Sequence, residues 1–252
     1  MHVDSVSFGE SIAIGYVNGV SRVSKMGAAS PVNDTEVDLW TPATAFVFPA
    51  AAQQMEVISS SAADAAAGTG ARTVKIWYLT TGFVEKTETI TLNGVTGVLT
   101  AATDIYRINA FWVMTAGTGL KAAGTIDIRN KTTTTTIYSR IGVGQTRARN
   151  VAYTVPAKRN LYIKQVAYAS TSATSKASQF TLRSNYNKNE DTVGTILYPY
   201  SEIGVQDSTL IAVYEVPDKY PAGSDIKVSV VAAAGAACIC SCQLRGWLIQ
   251  VA

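Results

Sequence analysis

The chain has 252 residues with 47% hydrophobic and only 15% charged side chains, a formal net charge of +3, three cysteines and one histidine, His2. An average soluble domain is about 25% charged, so this chain predicts a neutral, hydroxyl-rich surface suited to contact with other subunits. That much apolar content excludes global disorder, and the scarcity of His, Cys and clustered carboxylates gives acid–base, nucleophilic and metal chemistry little to work with.

Helix signals are nearly absent, and strand signals recur as Val/Ile/Thr/Tyr runs separated by Gly, Asn, Asp and Pro. In the first half, strands are predicted over Ser11–Val20, Met55–Ser59, Thr73–Leu79, Glu88–Leu92, Ile105–Met114 and Gly124–Arg129. Within Thr73–Leu79, alternation puts Val74, Ile76 and Tyr78 on one face and Trp77 on the other. Asn93-Gly94 reads as a hairpin-type turn. Gly68-Thr69-Gly70 precedes a strand and not a helix, so it reads as a tight turn and not a phosphate loop.

Lys131–Thr136 holds five consecutive threonines, read as an edge strand or an extended linker. Residues 1–130 carry 8 basic and 11 acidic side chains, against 13 and 7 in the remainder. The change of sign at this run places the expected domain boundary between 131 and 132.

The second half predicts strands over Thr136–Ile141, Asn150–Val155, Leu161–Ala169, Phe180–Ser184, Thr195–Tyr198, Leu210–Val216, Asp225–Val231 and Ala237–Val251. Turns are expected at Pro156-Ala157, Asn185–Asp191 and Pro217–Gly223. Strand runs broken by turn signals every 8–15 residues predict an all-β chain of two β-sandwich, jelly-roll-like domains, 1–131 and 132–252. No intervening helices support a parallel α/β fold.

Candidate sites are few. In Cys238-Ile239-Cys240-Ser241-Cys242, strand alternation sends the three sulfurs to one face at intervals of about 6.6–6.8 Å. That is poor geometry for a disulfide between neighbours; the readings are a row of buried reduced thiols, a bridge to another chain, or a soft-metal site lacking a fourth ligand. Asp64, Asp104, Asp127, Asp191, Asp207, Asp218 and Asp225 fall in turns or at strand ends without the dense spacing of a calcium loop. Glu85, Glu88 and Asp104 have no special standing as a glycosidase pair. No catalytic residue, metal or cofactor is assigned.

Trp40, Trp77, Trp112 and Trp247, with twelve tyrosines, read as a sugar-stacking platform or as core and subunit-interface residues, and Trp77 ranks first among them as a partner contact. Arg147, Arg149, Lys158 and Arg159, with Lys164, supply much of the basic excess. They read as an anion-facing patch or as a surface meeting the acidic half of a neighbouring copy. The basic residues do not alternate with aromatics as in single-strand grooves, so no nucleic-acid partner is expected. Val228–Ala237 is too short to cross a bilayer, and the first residues lack a basic region followed by an apolar run; neither a membrane partner nor secretory export is expected.

Three blocks resemble β-rich structural proteins of tailed bacteriophages. They are Ser59–Asp64 with Gly68–Val74, Glu88–Gly94 with Tyr106–Asn109, and Ala152–Ala157 with Ala222–Val228. The resemblance follows the chain in order but rests on turns and strands, so it supplies no catalytic residues. It implies a non-enzymatic virion protein assembled in the host cytoplasm. The favoured role is a multicopy, homo-oligomeric decoration, cement or head-fibre protein bound to the major capsid protein or other virion proteins. The alternative it implies is a tail, neck or baseplate subunit binding a host surface glycan.

Overall fold

The computed structural model describes residues 11–12 and 16–251, so His2 lies outside the described residues. Among the described residues sixteen strands follow in order: β1 (Val20–Val32), β2 (Val37–Asp38), β3 (Met55–Ser59), β4 (Ala71–Leu79), β5 (Glu85–Thr91), β6 (Val98–Leu99), β7 (Arg107–Ala116) and β8 (Ile126–Asn130). Then come β9 (Ile137–Ile141), β10 (Tyr153–Thr154), β11 (Arg159–Thr171), β12 (Ala177–Asn187), β13 (Thr192–Gln206), β14 (Ser208–Tyr220), β15 (Asp225–Ala232) and β16 (Cys238–Gln250). The chain is all-β, and its named strands pair antiparallel throughout.

Four sheets form, in the orders β1-β16-β11-β14, β10-β15-β12-β13 with β2 also on β15, β6-β3-β8-β9, and β5-β4-β7. The first two share one apolar core. Tyr168 of β11 meets Phe180 of β12 with ring centroids 5.2 Å apart, and Leu161, Ile163, Val166, Leu182, Val228 and Leu244 fill the space around them. The other two sheets share a second core built on Met55, Val57, Val74, Ile76, Phe111 and Ile128. A smaller cluster of Trp40, Phe46 and Ala152 adds a third packing centre.

The first two sheets have a nested connectivity. β12 pairs with β13, β11 with β14, β2 with β15, and β1 with β16. The strands therefore form one long antiparallel ribbon, β1-β2-β11-β12 returning as β13-β14-β15-β16, folded over the core. Residues of β3–β9 are inserted between β2 and β10.

This pairing corrects the boundary expected between 131 and 132. That point lies in the β8–β9 loop, where Asn130 Oδ1 accepts from the backbone N–H of Thr132 and Thr133 at 2.8 Å each. The threonine run is a capped surface turn, and the change in charge sign marks no linker. β1 and β2 belong with the C-terminal strands because their ladder partners, β16 and β15, are there.

The predicted strand at Ser11–Val20 is displaced: β1 starts at Val20 and runs to Val32, and residues 13–15 lie outside the described residues. β1 reads Val-Ser-Arg-Val-Ser-Lys-Met-Gly-Ala-Ala-Ser-Pro-Val, with little β-branched alternation. Its place is set by its partners. A Cβ on Gly27 would lie 2.1 Å from Leu39 O, so only glycine fits there. Asn93-Gly94 does make a turn, with Gly94 at φ +60°, but it leads from β5 to β6 in another sheet. The β4–β5 hairpin closes instead at Thr80–Val84.

Candidate functional site

Strand alternation gives the outer face of the β5-β4-β7 sheet its composition. Val74, Ile76 and Tyr78 point inward and are buried, so Thr73, Lys75 and Trp77 point outward. Lys75 stands opposite Trp112 of β7, which places Trp77 diagonally beside that ring. The Trp77 and Trp112 centroids lie 5.2 Å apart at 56°, and Lys75 Nζ sits 5.0 Å from the Trp77 centroid. Trp112 is 44% exposed and Trp77 is half-buried against it.

The segment 145–150 continues this surface. Arg147 pairs antiparallel with Trp112, Val113 N–H donates to Thr146 O at 2.8 Å, and Ala148 N–H to Phe111 O at 2.9 Å. Asn150 next pairs with Met26 of β1 and with Trp40. Trp77, Trp112, Arg147 and Met26 therefore form a row crossing from one sheet toward the other. Arg147 Nη2 donates to Met26 Sδ at 2.8 Å. A groove of about 500 Å³ lies along the row, lined by Met26, Trp112, Gln145, Thr146, Arg147 and Arg149.

Beneath it, Lys25 donates from Nζ to Asn109 O at 2.7 Å. Burial, with Arg147 adding like-charge repulsion, pushes its pKa down to about 7.

The structure thus brings Trp77, Arg147 and Arg149 to one region and leaves the other predicted contacts elsewhere. Lys158 and Arg159 stand at the start of β11, where Arg159 pairs with Gln250 and donates to Ser21 Oγ at 3.5 Å. Lys164 is tied to Tyr214 O at 2.8 Å. The basic residues do not make one patch, because 147–150 runs beside β7 whereas β11 sits in the other core's sheet. Sequence reasoning missed Met26, Lys75 and the pairing of Trp112 with Trp77; the only signal was alternation in β4 and β7.

A second surface is the edge formed by β13 and β14, the last strands of their sheets. Val193, Ile196, Leu210, Ile211, Val213 and Val216 are exposed there, Val216 by 85%. Pro199 and Pro217 sit in these strands, where an edge tolerates a residue without an N–H. Ser208–Val216 contains one charged residue, Glu215, and no proline. Such an edge is a template for pairing with another chain unless something covers it.

The other candidates are engaged in structural contacts. Cys238, Cys240 and Cys242 are free thiols on one buried face of β16. Burial pushes the Cys240 and Cys242 thiols up. Asp64 accepts from Ser59 Oγ and from the N–H of Ala71, Ala123 and Gly124 at 2.6–2.9 Å. Asp104, Asp127, Asp218 and Asp225 pair with Lys86, Arg140, Lys188 and Arg107. Asp191 accepts from Tyr186 Oη and Asp207 from Ser172 N–H. Glu88 accepts from the N–H of Ala101 and Ala102. Among the described residues no group of three or more His, Cys, Asp or Glu is placed to hold a metal ion.

No family model and no curated protein matches the chain. Among solved structures it is similar to a chain of the T13 infectious bursal disease virus particle, at 10% identity and a TM-score of 0.22, over 92% of this chain and 74% of that one. It is also similar to a chain of the Gt strain of infectious bursal disease virus, at 10% identity and a TM-score of 0.18, over 93% and 78%. At such scores the overlap carries no argument about fold or function.

Proposed function

We infer that this chain is a non-enzymatic, multicopy structural component of a virion, associated with the capsid as a decoration, cement or head-fibre protein. The observation that carries the reading is the exposed apolar edge of β13 and β14 on a neutral two-sheet body. The nested ribbon gives sheet orders β1-β16-β11-β14 and β2-β15-β12-β13, which we read as a jelly roll of two Greek keys, an architecture used by capsid and lectin domains. The β3–β9 insertion is read as a second, smaller β-sandwich. The tailed-phage assignment rests on the sequence resemblance alone.

In this reading the β14 edge meets a second copy of the chain. Ile211 and Val213 share one face of the strand, and antiparallel pairing across a two-fold axis sets the same residues against each other. Many weak contacts of this kind add up when copies are held on one particle.

The test is sedimentation velocity of the purified protein with and without particles. Self-association that is lost in an Ile211→Lys, Val213→Lys double variant supports the reading. A wild-type chain that stays monomeric at every concentration and does not co-sediment with particles overturns it. The second reading, a tail, neck or baseplate subunit, draws on the exposed Trp112 beside Arg147; particle density confined to the tail would select it.

A further inference from the structure

The assembly reading makes no use of the groove beside Trp112. We propose that this groove binds a pyranose bearing a carboxylate, the chemistry shared by uronic and sialic acids. The groove and the β14 edge are separate surfaces, so either assignment can fail without the other.

Trp112 provides the stacking face. Its indole is exposed yet braced by Trp77, so little side-chain freedom remains to be lost on binding. The C–H face of a pyranose is flat and apolar and matches such a ring. Beside it in the groove, Gln145 and Thr146 carry an amide and a hydroxyl suited to a polyol.

Arg147 and Arg149 provide the charge. They stand two residues apart on an extended segment and so share a face, and both line the groove. Arg107, Arg129, Arg140 and Arg183 each have a carboxylate partner. Among the described residues Arg147 and Arg149 have none, as is also true of Arg22, Arg72, Arg159 and Arg245, but of these six only Arg147 and Arg149 line the groove. The one side-chain acceptor found for Arg147 is the Met26 thioether, which is weak and neutral. A guanidinium presents a planar fork that fits a carboxylate with two parallel hydrogen bonds.

An independent feature lies next to the groove. A recess of about 50 Å³ is lined by Lys25, Met26, Asn109, Trp112, Arg147 and Asn150. Asn150 is 5% exposed, and its Oδ1 has no hydrogen-bond partner. It is one of eight buried side-chain oxygens without a partner among the described residues, and the one that belongs to a residue lining this recess, where a sugar hydroxyl would satisfy it. An acidic peptide supplies carboxylates but lacks the flat apolar face for Trp112.

The experiment is calorimetric titration of the whole chain, at low salt, with trigalacturonate, 3′-sialyllactose, neutral maltotriose and a tetraglutamate peptide. The proposal expects an acidic sugar to bind at least about tenfold more tightly than maltotriose and the peptide, a gap of about 1.4 kcal/mol. Trp112→Ala and Arg147→Gln should each weaken that binding by about tenfold or more. Arg149→Gln, an exposed change, serves if Trp112→Ala does not fold. Binding of trigalacturonate alone assigns uronic acids, and of sialyllactose alone sialic acids. If neither acidic sugar binds, if maltotriose or the peptide binds as tightly, or if affinity survives the arginine substitutions, the proposal is overturned.

Discussion

Arg107 and Asp225 lie 118 positions apart in the sequence and form a two-pronged ion pair, Nε to Oδ1 and Nη2 to Oδ2, both at 2.9 Å. Their side chains are 9% and 7% exposed. The pair joins β7 of the insertion to β15 of the nested ribbon. Arg107 Nη1 donates to Pro49 O at 2.7 Å, Thr154 Oγ1 donates to Asp225 Oδ1 at 2.5 Å, and the guanidinium lies 3.9 Å from the Tyr106 ring centroid. Removing one partner strands a buried charge, which costs about 3–5 kcal/mol. Arg107→Met should therefore lower stability by about that amount in urea unfolding. An Arg107→Met, Asp225→Leu double variant should recover part of the loss, because no lone charge remains buried. A single variant with unchanged stability would show that the pair does not hold the two regions together.

Asp64 organises the turn before β4 in a comparable way, but with backbone partners. It is fully buried, and its two oxygens accept from three N–H groups and one hydroxyl. Asp64→Ala leaves those donors without an acceptor, at about 1–3 kcal/mol for each one that water cannot reach. The expected outcome is a severe loss of stability, larger than for Asp64→Asn, which keeps one acceptor oxygen. A melting temperature unchanged by Asp64→Ala would show that the turn closes without this carboxylate.

These two carboxylates show where sequence reasoning reaches its limit. Asp64 and Asp225 look alike in the sequence, both polar residues at turns, and nothing local says that one meets four donors and the other an arginine 118 residues away. Alternation did locate the local features: the buried faces of β4 and β16, the outward Trp77, and most strands of the second half. It failed at β1, whose Gly27, Ala28 and Ala29 have low β-propensity and are held as strand by pairing with β16. The domain boundary failed for the same reason, because non-local pairing decides which sheet β1 and β2 join. The groove combines β7, the 145–150 segment and β1, with Trp77 of β4 bracing Trp112, so the tryptophans and the two arginines were legible as separate candidates and their convergence was not.

The cysteine row makes a prediction about reactivity. Gly27 and Ala29 of β1 stand opposite Cys242 and Cys240, and Cys240 Sγ lies 3.3 Å from Ser178 Oγ of the facing sheet. Burial favours the neutral thiol over the reactive thiolate. A thiol-specific disulfide reagent should leave all three cysteines unmodified in the native chain and label three after unfolding. Fast labelling of the native protein would show that the β16 face opens to solvent.

Lys25 should make stability depend on pH. Its pKa falls from 10.5 in the unfolded chain to about 7 in the fold, first through burial and then through Arg147. Between these values the unfolded chain holds a proton that the folded chain has released, so stability rises with pH across this window. Below about pH 7 the folded chain keeps the ammonium of this half-buried side chain short of water, and the penalty is greatest. Lys25→Met removes the charge while preserving the apolar stem, and loses a hydrogen bond to Asn109 O that contributes about 1 kcal/mol. The variant should gain stability over wild type at pH 6 and lose most of that advantage as pH approaches 10. Urea unfolding of both chains at several pH values checks this. A difference that does not change with pH would show that Lys25 has the same proton affinity folded and unfolded.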